Sequence, residues 1–111
     1  MSTFKRFEEI ESWKLSREYC KMIFLFIHQE NFSKDYSLKD QINGSSGSMM
    51  DNIAEGFCRG GNPEFINFLR YSKGSGGESQ CQLYRAYDRN YISHNEFNEA
   101  YQLVDFINSK N

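Results

Sequence analysis

Ser72-Lys73-Gly74-Ser75-Gly76-Gly77 decides the fold. By composition the hexapeptide is a flexible linker, and it would divide the residues around it into two short helices. Periodicity gives the opposite reading. Phe65 and Leu69 before it and Leu83 and Ala86 after it belong to one series with Ser72, Gly76 and Ser79, in steps of four and three. A linker has no reason to keep helical phase across itself, so the spacing predicts one long helix whose inward seam turns small in the middle.

The start of that helix is written just upstream. Gly60-Gly61-Asn62-Pro63-Glu64 combines glycines past one helix end with Asn62 as N-cap, Pro63 at the first helical position and an acid in the first turn. Before it, Leu38, Ile42, Ser45, Met49, Ile53 and Gly56 form a second seam, and Ser37 followed by Asp40 gives that helix a capped start. A first helix spans Trp13 to Ile27, with Trp13, Cys20, Ile23, Phe24 and Ile27 on its apolar side. Asn31 to Ser37 is polar and turn-prone apart from Phe32 and Tyr36. Ser93-His94-Asn95-Glu96 reads as a capping box, after which Phe97, Ala100, Val104 and Ile107 mark a fourth helix. Short connections make sequential neighbours antiparallel. The expected architecture is all-α, an antiparallel up-down-up-down four-helix bundle forming a single domain over residues 1–111.

All eight glycines lie between Gly44 and Gly77. Those at 44, 47, 56, 74, 76 and 77 fall in helix interiors, at roughly 1 kcal/mol each relative to alanine. The total, about 5 to 6 kcal/mol, rivals the stability of a small domain. With a turn near Gly61, Gly44 to Ser48 lie opposite Gly74 to Glu78. A close contact between the second and third helices around Ser45, Ser48 and Ser75 is the expected offset. The competing use of the glycines is a groove for a ligand or another subunit.

The totals narrow the function classes. Thirteen Lys and Arg against fifteen Asp and Glu leave a net charge of -2, where an electrostatic nucleic-acid binder shows a basic balance. No apolar run is long enough for a membrane span, and the first residues lack the apolar core of a signal peptide, so a cytoplasmic protein is expected. Cys20, Cys58 and Cys81 are widely spaced without a CxxC pair, which indicates neither a disulfide framework nor a zinc site. His28 and His94 are single histidines, and the glycine strings lack the Gly-Lys-Ser/Thr ending of a phosphate loop. No catalytic, metal or cofactor set emerges.

Candidate interaction residues do. Asn52, Glu55 and Arg59 recur at helical spacing, with Glu55 to Arg59 a favourable pair four residues apart, and Glu78 could bond across the close contact to Ser45. Arg70, Lys73, Arg85 and Arg89 give the third helix a basic character that could contact phosphates, joined by Lys5, Arg6 and Arg59. A solvated helix face is the plainer reading. Eighteen aromatic residues are more than one slim bundle hides, so some of Tyr71, Tyr84, Tyr87, Tyr91 and Tyr101 are expected at a subunit interface.

Asp51-Asn52-Ile53-Ala54-Glu55-Gly56 with Arg59, then Glu64-Phe65-Ile66-Asn67-Phe68-Leu69, then Gly74-Ser75-x-x-Glu78, resembles the 23S rRNA-intervening sequence protein family, also called the four helix bundle protein family. The resemblance extends from Phe7, Ile10 and Trp13 through Gln82-Leu83-Tyr84 to the last helix. It implies an antiparallel bundle with a continuous third helix, a ring-like homo-oligomer that is often a pentamer, a bacterial source and no enzyme. Similar proteins accompany the reverse transcriptases of diversity-generating retroelements, where a basic bundle surface is thought to engage nucleic acid. Where the family pattern usually carries basic residues just before the shared motif, this chain reads Asn43-Gly44.

Overall fold

The computed structural model describes residues 4–111. Four helices follow one another: α1 (Glu11–Ile27), α2 (Tyr36–Cys58), α3 (Asn62–Asp88) and α4 (His94–Lys110), with single 3-10 turns at Phe7–Glu9 and Phe32–Lys34. Each helix packs mainly on its neighbours in the cyclic order α1–α2–α3–α4, and α2 with α3 is the most extensive pair. This is the expected up-down-up-down bundle. Helix α3 runs unbroken through Gly74, Gly76 and Gly77 for 27 residues. Helical phase therefore carries through the glycines, and no linker divides α3.

Caps set the boundaries. Ser93 and Glu96 close the expected capping box, Ser93 Oγ accepting from Glu96 N–H at 3.1 Å and Glu96 Oε1 from Ser93 N–H at 2.8 Å. Two expected caps move by one or two residues. Asp35, not Ser37, caps α2, accepting from Leu38 N–H at 3.2 Å. An aspartate satisfies the orphan amide and also complements the positive end of the helix. At α3, Gly61 rather than Asn62 occupies the cap position, and Pro63 stands in the first turn. Gly60, just past the end of α2 and its cap Arg59, has a φ of 85°, the left-handed conformation that glycine adopts without penalty. Asn90 performs the same duty after α3, with φ 61° and Tyr91 N–H returning to Ala86 O at 2.9 Å.

The bundle is apolar at one end and fine-grained at the other. Ile23, Phe26 and Ile27 of α1 meet Leu38 and Ile42 of α2, Leu83 and Ala86 of α3 and Ala100 of α4 in one buried cluster. Phe32 closes this end from the α1–α2 connection, fully buried and stacked on Tyr91 at 5.2 Å. Towards the other end the seams turn to Ser12 and Ser16 on α1 and Ser72 and Gly76 on α3, all buried. Such small side chains fill little space, so the backbones must approach. Gly76 shows it: a Cβ there would stand 2.9 Å from Asn108 Nδ2 and 3.1 Å from Val104 Cγ1 of α4.

Buried hydroxyls would be costly if unpaired, and most are bonded. Tyr19 reaches across the bundle from α1 to share a 2.6 Å hydrogen bond with Ser79 Oγ on α3. Burial pushes the Tyr19 phenol up, so it stays protonated and available for that bond. Ser72 Oγ donates to Met49 O at 2.9 Å, and Ser45 Oγ to Gln82 Oε1 at 2.6 Å, joining α2 to α3. Asn108 Nδ2 donates to Lys73 O at 3.2 Å and ties α4 to α3.

Candidate functional site

The residues singled out by sequence converge on the α2–α3 pair, and the structure divides them. Ile53 and Gly56 point inward and are buried. A Cβ on Gly56 would stand 2.5 Å from Phe68 Cβ and 3.3 Å from Phe65 Cδ1, so α2 and α3 approach closely here. Ala54 is half-buried beside them. Asn52 turns back on its own helix, its Nδ2 donating to Ser48 O at 2.8 Å. Glu55 and Arg59 make the expected pair at 2.8 Å, with about half of each side chain exposed, and the Arg59 guanidinium lies 4.9 Å from the Phe68 ring centre. Pair and ring together fix Arg59 as part of the α2–α3 joint.

The glycine contact is not where the antiparallel count put it. Gly44, Gly47, Gly74 and Gly77 face outward, and a Cβ on any of them meets nothing within 4 Å. Ser48 and Ser75 are only half-buried, and Glu78 is exposed rather than bonded to Ser45. Gln82, one turn further along α3, takes that place. The close approach is carried instead by Gly56, Ser45 and Ser72, with Gly76 serving α4. Four glycines thus cost the helices about 1 kcal/mol each without any internal contact to offset it. Gly74→Ala and Gly77→Ala are each expected to raise stability by about 0.5–1 kcal/mol, read as an upward shift of the urea midpoint at unchanged slope.

The basic residues of α3 do not form one surface. Arg70 and Arg89 are separated by roughly 28 Å of helix, and the four side chains fan over about 160° of its circumference. Arg85 Nη1 donates to Gln41 Oε1 at 2.8 Å, and Arg89 pairs with Asp35 at 2.7 Å, so both are committed to α2. Arg70 and Lys73 are exposed. Near the other end Arg6 pairs with Glu8 at 3.2 Å.

Asp35 is the most heavily bonded ionisable group. It caps α2 through Leu38 N–H, accepts from Tyr91 Oη–H at 2.9 Å, and pairs with Arg89. The Leu38 amide first, then Tyr91 and Arg89, hold its carboxyl below the usual carboxylate range, while the same bond raises the Tyr91 phenol. A depressed carboxylate stabilises the fold above its ordinary pKa of about 4, and that stabilisation is lost as pH falls through the lower folded value. Asp35→Asn should therefore narrow the gap between the urea midpoints at neutral pH and in acid.

No convergent catalytic geometry forms around the histidines or cysteines. His28 Nδ1 bonds to Phe24 O at 2.7 Å, and His94 packs beside Tyr87. Cys58 and Cys81 are exposed thiols, and Cys20 is half-buried with its Sγ donating to Ser46 O at 3.2 Å. Burial pushes the Cys20 thiol up, against thiolate chemistry. Among the described residues, no three His, Cys, Asp or Glu side chains are grouped to hold a metal ion, and no helix is long and apolar enough to cross a membrane.

Large apolar side chains remain outside the core. Tyr84 and Tyr87 of α3 interleave with Phe97 and Tyr101 of α4, ring centres 4.9 to 5.6 Å apart, in a ladder half open to solvent. Phe24, Leu25, Ile66 and Tyr71 are each more than half exposed. Sequence reasoning missed Tyr19, Ser16 and Gln82. The signal for α1 was present, since Ser12, Ser16, Tyr19 and Ile23 step by four, three and four, but their polarity hides the seam.

An all-α bundle with a polar motif absorbed into its α2–α3 joint is the class that fold and site define. Residues 8–110 match the 23S rRNA-intervening sequence protein model, and the chain belongs to that family. A crystal structure of a protein with unknown function from the S23 ribosomal protein family of Bacteroides thetaiotaomicron has the same fold, with TM-score 0.79 and 22% identity. The match covers 88% of this chain and 92% of that one. No curated protein matches the chain.

Proposed function

We propose that the chain is a noncatalytic four-helix-bundle protein of the cytoplasm that self-associates and works as an interaction module. The observation that carries this reading is the apolar surface left over after folding: Phe24, Leu25, Tyr36, Ile66 and Tyr71 are 51% to 72% exposed on a bundle of only 111 residues. Phe24 and Leu25, neighbours on α1, line one groove, and exposed apolar side chains gathered in this way mark contact with another macromolecule. A ring-like homo-oligomer, with five copies the number the family resemblance implies, would cover it. The helix motif Asn52 to Arg59 then serves the joint that shapes the subunit rather than a reaction, while Gly74 and Glu78 stay on the outer face of α3.

Arg70 and Lys73, exposed on α3, favour a second reading as an RNA- or DNA-binding accessory protein. Titration of the nuclease-treated protein with a labelled rRNA fragment separates the two. Self-association without nucleic acid predicts no binding at low salt and an assembled species in the RNA-free protein. Binding that weakens steeply with salt and is lost on combining Arg70→Ala with Lys73→Ala would overturn it in favour of the accessory role.

A further inference from the structure

The outward face of α1 is basic and apolar together. Lys14, Arg17, Lys21, Phe24 and His28 follow one another in steps of three and four, with Leu25 beside Phe24. Phe24 is 58% and Leu25 68% exposed, and they line a shallow groove with Arg17, Cys20 and Lys21. Unlike the α3–α4 rings, which pack on one another, Phe24 has among the described residues only the His28 ring beside it, at 4.2 Å. Lys21 makes a solvent-exposed 3.2 Å pair with Glu18, and Lys14 and Arg17 make no ion pair among the described residues.

The outward face of α2 is its converse. Ser37, Asp40, Gly44, Gly47 and Asp51 repeat the same steps, acidic at the flanks and without side chains in the middle, where open space surrounds both glycines. Lys39, the only Lys or Arg within α2, lies off this stripe against the Tyr36 ring. Arg17 to His28 and Asp40 to Asp51 are equal spans, each about 16.5 Å along a helix. Laid side by side in either direction, the two stripes place Arg17 and His28 against the two carboxylates and Lys21 and Phe24 over the two glycines. Within one chain α1 and α2 already pack through other faces, as the Cys20–Ser46 bond records. Only a second copy can make the match.

We infer that the α1 face of one copy docks on the glycine-lined α2 face of the next. The inference rests on the self-association proposed above and names its surface. Because the two surfaces differ, the contact is heterologous, and it repeats from copy to copy until the rotation closes a ring. Charge complementarity sets the register, and the missing side chains at Gly44 and Gly47 admit the Phe24 ring close to the α2 backbone.

Sedimentation velocity on the 111-residue chain tests it, comparing wild type with Gly47→Arg, Arg17→Asp, and Arg17→Asp combined with either Asp40→Arg or Asp51→Arg. Circular dichroism checks that each variant keeps its helices, which the open space at Gly47 and the exposure of Arg17 allow. The expected result is assembly of the wild type, at least a tenfold weaker association in both single variants, and recovery in one of the charge swaps. The Asp40 swap recovers if the stripes run parallel, the Asp51 swap if antiparallel. Assembly unchanged in Gly47→Arg and Arg17→Asp would overturn this surface and leave self-association standing; a monomeric wild type would remove both. Intact assembly with loss of rRNA-fragment binding in Arg17→Asp would make the α1 stripe a nucleic-acid surface and overturn the inference.

Discussion

Gly56→Val is expected to lower the melting temperature by more than about 10 °C. The valine Cβ would start 2.5 Å from Phe68 Cβ, an atom fixed to the α3 backbone that no rotamer change can withdraw. The helices would have to part at this close approach, breaking the fit of Phe65 and Phe68 and moving the ring that Arg59 covers. Overpacking of this kind costs about 1–3 kcal/mol, and three added carbons on a backbone-to-backbone contact place this variant at the upper end. Against about 5–15 kcal/mol of total stability, that is a large fraction. Gly77→Val is the control, because its side chain enters open space and should change thermal stability little. Equal melting temperatures for the two variants would contradict the close approach at Gly56.

Phe32→Ala should cost about 3–5 kcal/mol, the usual loss for a fully buried phenylalanine. Its ring has no exposed surface and fills the space between the end of α1 and the start of α2, stacked on Tyr91. Tyr91 in turn donates to Asp35, the cap of α2, so the cavity also loosens the group that starts that helix. Urea unfolding should give a lower midpoint, and near-ultraviolet circular dichroism a reduced tyrosine signal. A loss below about 1 kcal/mol would mean that the connection carries no core, contrary to its burial.

Phe32 also marks the limit of what the sequence makes legible. Helical seams are readable where they are apolar, as in Leu38, Ile42, Met49 and Ile53 on α2 and Ala100, Val104 and Ile107 on α4, all buried as expected. The continuity of α3 is readable because phase survives composition. A lone aromatic in a polar connection has no period, and only the tertiary fold shows that Phe32 plugs the bundle.

The α2–α3 contact was legible in kind and, near the turn, in register, since Ser72 bonds Met49 and Gly56 meets Phe65; towards the far end it drifts. Antiparallel counting assumes that both helices run straight from an ideal turn, and the α3 residue facing Ser45 proves to be Gln82, one turn beyond Glu78. Whether Gly44, Gly47, Gly74 and Gly77 face the neighbouring helix or solvent is set by their angle around their own helix, and all four fall off the buried seams of Ser45, Met49, Ser72 and Gly76. Their outward placement shifts the explanation from the interior of one subunit to what lies outside it. For α3, Arg70, Lys73, Arg85 and Arg89 sort by direction around the helix, which a count of charges does not record. The paired roles of Arg85 and Arg89 depend on Gln41 and Asp35, residues far away in sequence.

Sedimentation equilibrium of the purified 111-residue chain, over a range of micromolar concentrations and free of nucleic acid, tests self-association most directly. A defined multiple of 13.1 kDa, reached on raising concentration and independent of added RNA, is the predicted result. A mass of 13.1 kDa throughout would contradict it.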